Sequence, residues 1–137
     1  MKLSRTVSYA IQATLHLAQQ SDAIPVPCSR LAAVGEMPER FLLQILRNLV
    51  THGILRSTRG VEGGYSLLRP ATEISVLDVI EAIDGPMDAE VDAPKGLARQ
   101  SYDHLRKTLF EITAASRQQL GALKIADLGV PPSRQRT

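Results

Sequence analysis

The sequence is poor in cysteine: Cys28 is the only one. No intrachain disulfide can form, so the chain is not a small disulfide-stapled secreted scaffold. Long apolar runs are missing too, and none approaches the ~20 residues that a membrane-spanning helix needs. The opening Met1-Lys2-Leu3-Ser4-Arg5-Thr6 leads into an amphipathic stretch rather than a continuous apolar one, so no signal peptide is expected. The expectation is a cytoplasmic protein with no membrane partner. Catalytic sets are lacking as well. No Ser-His-Asp arrangement, phosphate-binding glycine loop or paired catalytic carboxylates can be assembled, which argues against an enzyme. His16 and His52 have no partner at metal-ligand spacing. Asp88, Glu90 and Asp92 alternate; they could meet a hard cation, but a solvated acidic linker is the plainer reading. No metal site is expected.

What is present is an ordinary globular composition. Hydrophobic residues make up 44% and charged residues 22% of 137 positions, enough to bury a core and too little charge for disorder. The net charge of +2 is unevenly spread. Residues 1–70 carry eight Lys or Arg against four acids, and the remainder eight against ten. A basic first half is a modest signal for nucleic acid.

Hydrophobic spacing orders the chain. Leu3, Val7, Ala10, Ile11, Leu15 and Ala18 recur at helical intervals, with Thr14 on the same face. Ser21-Asp22-Ala23 breaks that pattern, and Ile24-Pro25-Val26-Pro27 must be extended, because a residue before proline is pushed out of the helical region. A short helix over 29–34 ends at Gly35. Pro38 opens a second helix, 38–52, with Phe41, Leu42, Ile45, Leu46, Leu49 and Val50 as its apolar stripe. Two short helices with a tight connection are a helix-turn-helix. Strand 54–58, the glycine-rich tip 59–64 and strand 65–68 then form a hairpin, which in that position is a wing. Ser75 and Asp78 announce a capped helix to Asp84. After a linker over 86–96, a long helix of about 97–120 carries Tyr102, Leu105, Leu109 and Ile112 at near-heptad spacing, a dimerisation seam. The segment 129–137 has no apolar period and is expected to be disordered. The fold class is therefore mainly α with a small β-hairpin wing. Its expected domains are a winged helix-turn-helix over 1–85, then a linker, then a dimerisation helix and short terminal segment over 97–128.

The helix at 38–52 has a polar outer face on which Arg40, Gln44, Arg47 and Thr51 follow one another at three- and four-residue steps. A helix fits the major groove, where Arg and Gln can pair with guanine and adenine edges. Leu43 also points outward; it either covers a neighbouring element or packs on a thymine methyl. In the wing, Arg59 stands before Gly60, Gly63 and Gly64. An arginine there can enter a narrow minor groove, and glycine permits close approach to a phosphate.

The wing Arg59-Gly60-Val61-Glu62-Gly63-Gly64-Tyr65 resembles the Arg-Gly-x-x-Gly-Gly-Tyr signature of the IscR/NsrR-type winged-helix regulators. Lys2-Leu3, Tyr9-Ala10, Phe41-Leu42-Leu43-Gln44-Ile45-Leu46 and Val76-Leu77-Asp78-Val79-Ile80-Glu81-Ala82 are similar to that family's too. The resemblance is close from residue 1 to about 85 and only topological from 97 to 128. It implies a homodimeric DNA-binding regulator, here expected to be a repressor. The recognition helix would lie in the major groove, the wing arginine in the minor groove, and the long helices would cross between subunits. The candidate DNA contacts are Lys2, Arg5, Glu39, Arg40, Leu43, Gln44, Arg47, Arg59, Gly60, Gly63, Gly64 and Tyr65, on a double-stranded and palindromic operator.

The resemblance fails in one respect. Many members hold an iron–sulfur cluster through three cysteines between the fourth helix and the long helix, and this sequence has none there. A cluster needs thiolates, with at most some replaced by other ligands, so no cofactor is expected. Cys28 is the one redox handle. Near a helix N-terminus its thiolate would be favoured, or it is a small residue that seats the helix. The competing reading of the whole chain is a winged helix turned protein-interaction module, which would show no salt-dependent affinity for duplex DNA.

Overall fold

The computed structural model describes residues 1–20 and 24–129. The expected break at 21–23 and all but the first residue of the expected disordered tail fall outside them. In chain order the elements are α1 (Arg5–Ala18), α2 (Cys28–Gly35), α3 (Glu39–Thr51), β1 (Leu55–Thr58), β2 (Gly64–Leu67), a 3₁₀ turn (Ala71–Glu73), α4 (Val76–Asp84), α5 (Arg99–Ala122) and α6 (Ile125–Leu128). The expected fold class is the one found: a winged helix-turn-helix followed by a long helix.

Local chemistry sets the ends of these elements. Ser4 caps α1, its hydroxyl accepting from the Val7 N–H at 3.2 Å. Leu3 therefore lies ahead of the helix and is exposed, not part of its buried stripe. Thr14 is fully buried, and its hydroxyl donates to the Ala10 carbonyl, so the apolar face loses no hydrogen bond by containing it. Between α2 and α3, Glu36 takes a left-handed conformation, φ 53°, and turns the chain sharply. In α4 the hydroxyl of Ser75 accepts from the Asp78 N–H, and the Asp78 carboxylate accepts from the Ser75 N–H, which makes a reciprocal capping box.

The core is the meeting point of α1, α3 and α4. Leu42, Leu46, Leu49, Ile74 and Val79 are wholly buried there, with Ile45, Ile54 and Leu55 nearly so. Truncating any of the three leucines to alanine costs about 2–5 kcal/mol by cavity formation. Phe41 departs from the expected stripe. It is 40% exposed, and its ring sits edge-to-face on Tyr9 of α1 with centroids 5.9 Å apart. Its place one residue before Leu42 turns it toward α1's flank rather than into the core.

Helix α5 is 24 residues long and buries none of them. At its far end the chain doubles back. Val76 N–H donates to the Leu123 carbonyl and Ile125 N–H to the Ile74 carbonyl, both at 2.8 Å, and Ile125 is completely buried in the winged-helix core. The terminal segment is thus packed into the first unit, although it follows α5 in sequence. Also within α5, Arg117 pairs with Glu81 of α4, and the same carboxylate accepts the Met87 N–H at 2.7 Å. This ties the start of the 86–96 linker to both helices.

Candidate nucleic-acid interface

Helix α3 has two faces of opposite character. Leu42, Ile45, Leu46 and Leu49 are at most 2% exposed, whereas Glu39, Arg40, Gln44, Arg47 and Thr51 are all solvent-facing. Burial of the first set leaves the second no choice of direction, because helical positions three and four apart share a side. The outer groups are barely occupied. Gln44 donates to the Asn48 side chain at 3.4 Å, and Thr51 to the Arg47 carbonyl at 2.9 Å. Leu43 is half-buried at the margin between the two faces.

The wing stands beside this face. Strands β1 and β2 are antiparallel, with Leu55 opposite Leu67, Arg56 opposite Ser66, Ser57 opposite Tyr65 and Thr58 opposite Gly64. The tip closes with Gly63 N–H donating to the Gly60 carbonyl at 3.0 Å, and Arg59 is exposed at its base. The free edge of β2 is covered. Val26, in the extended segment entering α2, exchanges both main-chain hydrogen bonds with Tyr65 at 2.9 Å. This explains the glycines differently from the sequence. A Cβ on Gly64 would lie 2.4 Å from the Val26 carbonyl carbon, and one on Gly63 2.3 Å from the Thr58 carbonyl oxygen. Both positions are close approaches of protein backbone to protein backbone. Only Gly60, at φ 116° with nothing near its would-be Cβ, faces open space.

Cys28 lies where wing, α2 and α3 converge. It is the first residue of α2, and its thiol donates to the Glu39 carbonyl at 3.6 Å. Burial, and secondarily the Glu39 carboxylate, push the thiol pKa up. That is opposite to what the helix terminus alone would do. Burial likewise raises the Tyr65 phenol, the nearby Cys28 adds to this, and Arg47 partly offsets it. Tyr65 itself is held beside the start of α2 by its main-chain bonds to Val26, two residues before Cys28.

Two further expected contacts lie outside α3 and the wing. Lys2 and Arg5 are exposed, and Arg5 is the first residue of α1, one turn before the Tyr9 ring that stacks on Phe41. Arg30 of α2 is not among the expected contacts. It lines a groove of about 600 Å³ together with Ile24, Pro25, Pro27 and the wing-tip residues Val61 to Gly63. It is the third residue of α2, a helix too short for periodicity to mark it. On α5, Leu105 and Ile112 are 43% and 56% exposed, and Tyr102 and Leu109 are half-buried. Phe110, at 67% the most exposed large apolar residue of that helix, lies off the expected seam.

A match to Rrf2, described as an iron-dependent transcriptional regulator, spans residues 3–130. The chain belongs to the Rrf2 family. It is a DNA-binding transcriptional regulator of the helix-turn-helix type, and not an enzyme. It is similar to a protein of Mycobacterium tuberculosis that bears the name of an HTH-type transcriptional regulator, 39% identical over 120 residues, covering 88% of this chain and 73% of that one. It is similar to the HTH-type transcriptional regulator IscR of Escherichia coli, 35% identical over 96 residues, 70% of this chain and 59% of the other. Among solved structures, CymR (YrzC) of B. subtilis, described as its global cysteine regulator, shares the fold, with a TM-score of 0.76 and 24% identity over 93% and 95% of the two chains. T. potens IscR gives a TM-score of 0.64 and 26% identity over 93% and 85%.

The Rrf2 description implies iron, and the donor set of this chain does not fit an iron–sulfur cluster. Cys28 is the only thiol, and it hydrogen-bonds within the helix-turn-helix, far in sequence from the 86–107 segment, which has no cysteine. Among the described residues, no three His, Cys, Asp or Glu side chains come together as a metal site.

Proposed function

We propose that this Rrf2-family chain is a cluster-free homodimeric repressor. In this reading α3 lies in the major groove, where Gln44 reads a base edge. Arg40 and Arg47 bind guanine edges or phosphates, with Glu39 and Leu43 at the groove margin. Arg59 enters the adjacent minor groove, carried by Gly60, Gly63, Gly64 and Tyr65, while Lys2 and Arg5 hold phosphates. Residues 1–85 form the reading head, 86–96 the linker and 97–128 the dimerisation segment, with Ile125 anchoring that segment back to the head. Pairing through Tyr102, Leu105, Leu109 and Ile112 presents two heads to a palindromic operator, with half-sites about 34–36 Å apart or a multiple of that. Occupying such a site blocks transcription.

The observation that carries this reading is the pairing of α3's unoccupied polar face with a wing fixed to the same unit by Val26 and Tyr65. The dimer rests on a 24-residue helix with no buried residue and exposed Leu105, Phe110 and Ile112. The absence of a cluster rests on the lone thiol.

The test is selection of duplexes by the purified chain from a random pool. Enrichment of a two-fold symmetric site, with affinity falling steeply with salt, is the expected result. A chain with no salt-dependent duplex affinity would instead be a protein-interaction module. A brown protein with stoichiometric iron after anaerobic purification would overturn the cluster-free assignment.

A further inference from the structure

Val61 occupies the apex of the wing and is 106% exposed, as open to solvent as a residue in an extended peptide. Single exposed apolar residues are common and usually mean nothing. This one differs in its placement. It is carried on a tip braced by the Gly63–Gly60 hydrogen bond and by the β1–β2 ladder, so its position is fixed by structure that it does not contribute to. It stands two residues from Arg59 on the same tip, and across the adjoining groove lie apolar Ile24 and Pro25 with cationic Arg30. Arg30 lines that groove with Glu62, whose carboxylate is the one group at the apex that phosphates would repel.

Resting on the reading that the wing enters the minor groove, we propose that Val61 is an apolar minor-groove contact that makes the wing selective for A·T pairs. Minor-groove proteins commonly set an apolar side chain against the base steps or sugar walls beside a basic residue. The minor-groove floor of an A·T pair presents only acceptors, whereas a G·C pair adds the guanine 2-amino group. That amino group stands up from the floor and must keep its hydration. An isopropyl group can reach the floor of the first and is held off by the second. Arg59 supplies attraction to a narrow groove, and Val61 supplies the penalty for a polar floor.

The experiment uses the full chain and the duplex it enriches from a random pool. Two variants of that duplex change only the minor-groove surface under the wing: inosine for guanine removes the 2-amino group, and 2,6-diaminopurine for adenine adds it. On the enriched duplex, affinity should follow apolar size, with Val61→Ile at least equal to wild type and Val61→Ala weaker. Val61→Ser should be weakest, by about three- to tenfold. Diaminopurine should weaken wild type several-fold more than it weakens Val61→Ser. Thermal unfolding should be unchanged in all three variants, because Val61 packs on nothing. Binding of Val61→Ser within a factor of about two of wild type, with equal diaminopurine penalties, overturns the assignment of Val61 alone. Failure of wild type to bind any duplex overturns the proposed function and this contact with it.

Discussion

Val26 and Tyr65 exchange both main-chain hydrogen bonds at 2.9 Å, so the wing is joined to the segment that starts α2 and does not hang free from the helix-turn-helix. The wing and the helix-turn-helix are therefore joined directly through main-chain hydrogen bonds. Gly64 makes the join possible. Its φ is 151°, and any side chain there would meet the Val26 carbonyl. Gly64→Ala should cost about 1–3 kcal/mol through strain and the displaced strand. Hydrogen exchange at the Val26 and Tyr65 amides should accelerate together, and binding to the selected duplex should weaken. Slow exchange at both amides in the variant would show that the backbone accommodates the methyl.

Gln44 and Arg59 should fail in different ways. Gln44→Ala should lose about 1–3 kcal/mol on the selected site and relax base preference there. Arg59→Ala should weaken binding chiefly where the minor groove is narrow. Removing Lys2 or Arg5 should lower the slope of log affinity against log salt by roughly one unit, with little change in sequence preference. Equal losses for Gln44→Ala on selected and random duplexes would place Gln44 off the bases.

A charge in the α5 seam should separate the dimer. Leu109→Glu and Ile112→Glu alter residues that make little of the core, so each should leave a folded monomer with weakened operator binding. Sedimentation at micromolar concentration checks this. A wild-type monomer under those conditions would remove the dimer from the mechanism.

Cys28 should behave as a protonated thiol at neutral pH. Burial and the Glu39 carboxylate raise its pKa above the ordinary value of about 8.5. The folded state then holds this proton more tightly than the unfolded state. Its small contribution to stability is complete below the unfolded pKa and is lost as pH rises through the folded one. Alkylation should be slow at pH 7 and accelerate only on the alkaline side of an ordinary thiol. Peroxide should leave the DNA affinity of wild type and Cys28→Ser equal. A loss confined to wild type would make Cys28 a redox switch acting through the Glu39 contact.

The sequence by itself determined the order of elements, because periodicity, proline and caps are local. Leu42, Ile45, Leu46 and Leu49 at helical spacing dictate which side of α3 is polar, and Ser75 with Asp78 dictates where α4 starts. It also limits the thiolate ligands available for metal chemistry to Cys28. The tertiary structure decided what adjacency decides. Periodicity placed Phe41 in the stripe, but contact with Tyr9 puts it on the surface. A glycine pattern cannot say whether a phosphate or a backbone comes close; Val26 and Thr58 supply the neighbours. The sequence left Cys28 between a thiolate favoured by the helix terminus and a small residue seating the helix, and burial beside Glu39 raises its pKa in line with the second. Ile125 follows a 24-residue exposed helix in the chain yet is buried beside Ile74, because its hydrogen-bond partner is some fifty residues away and no local pattern records such a contact.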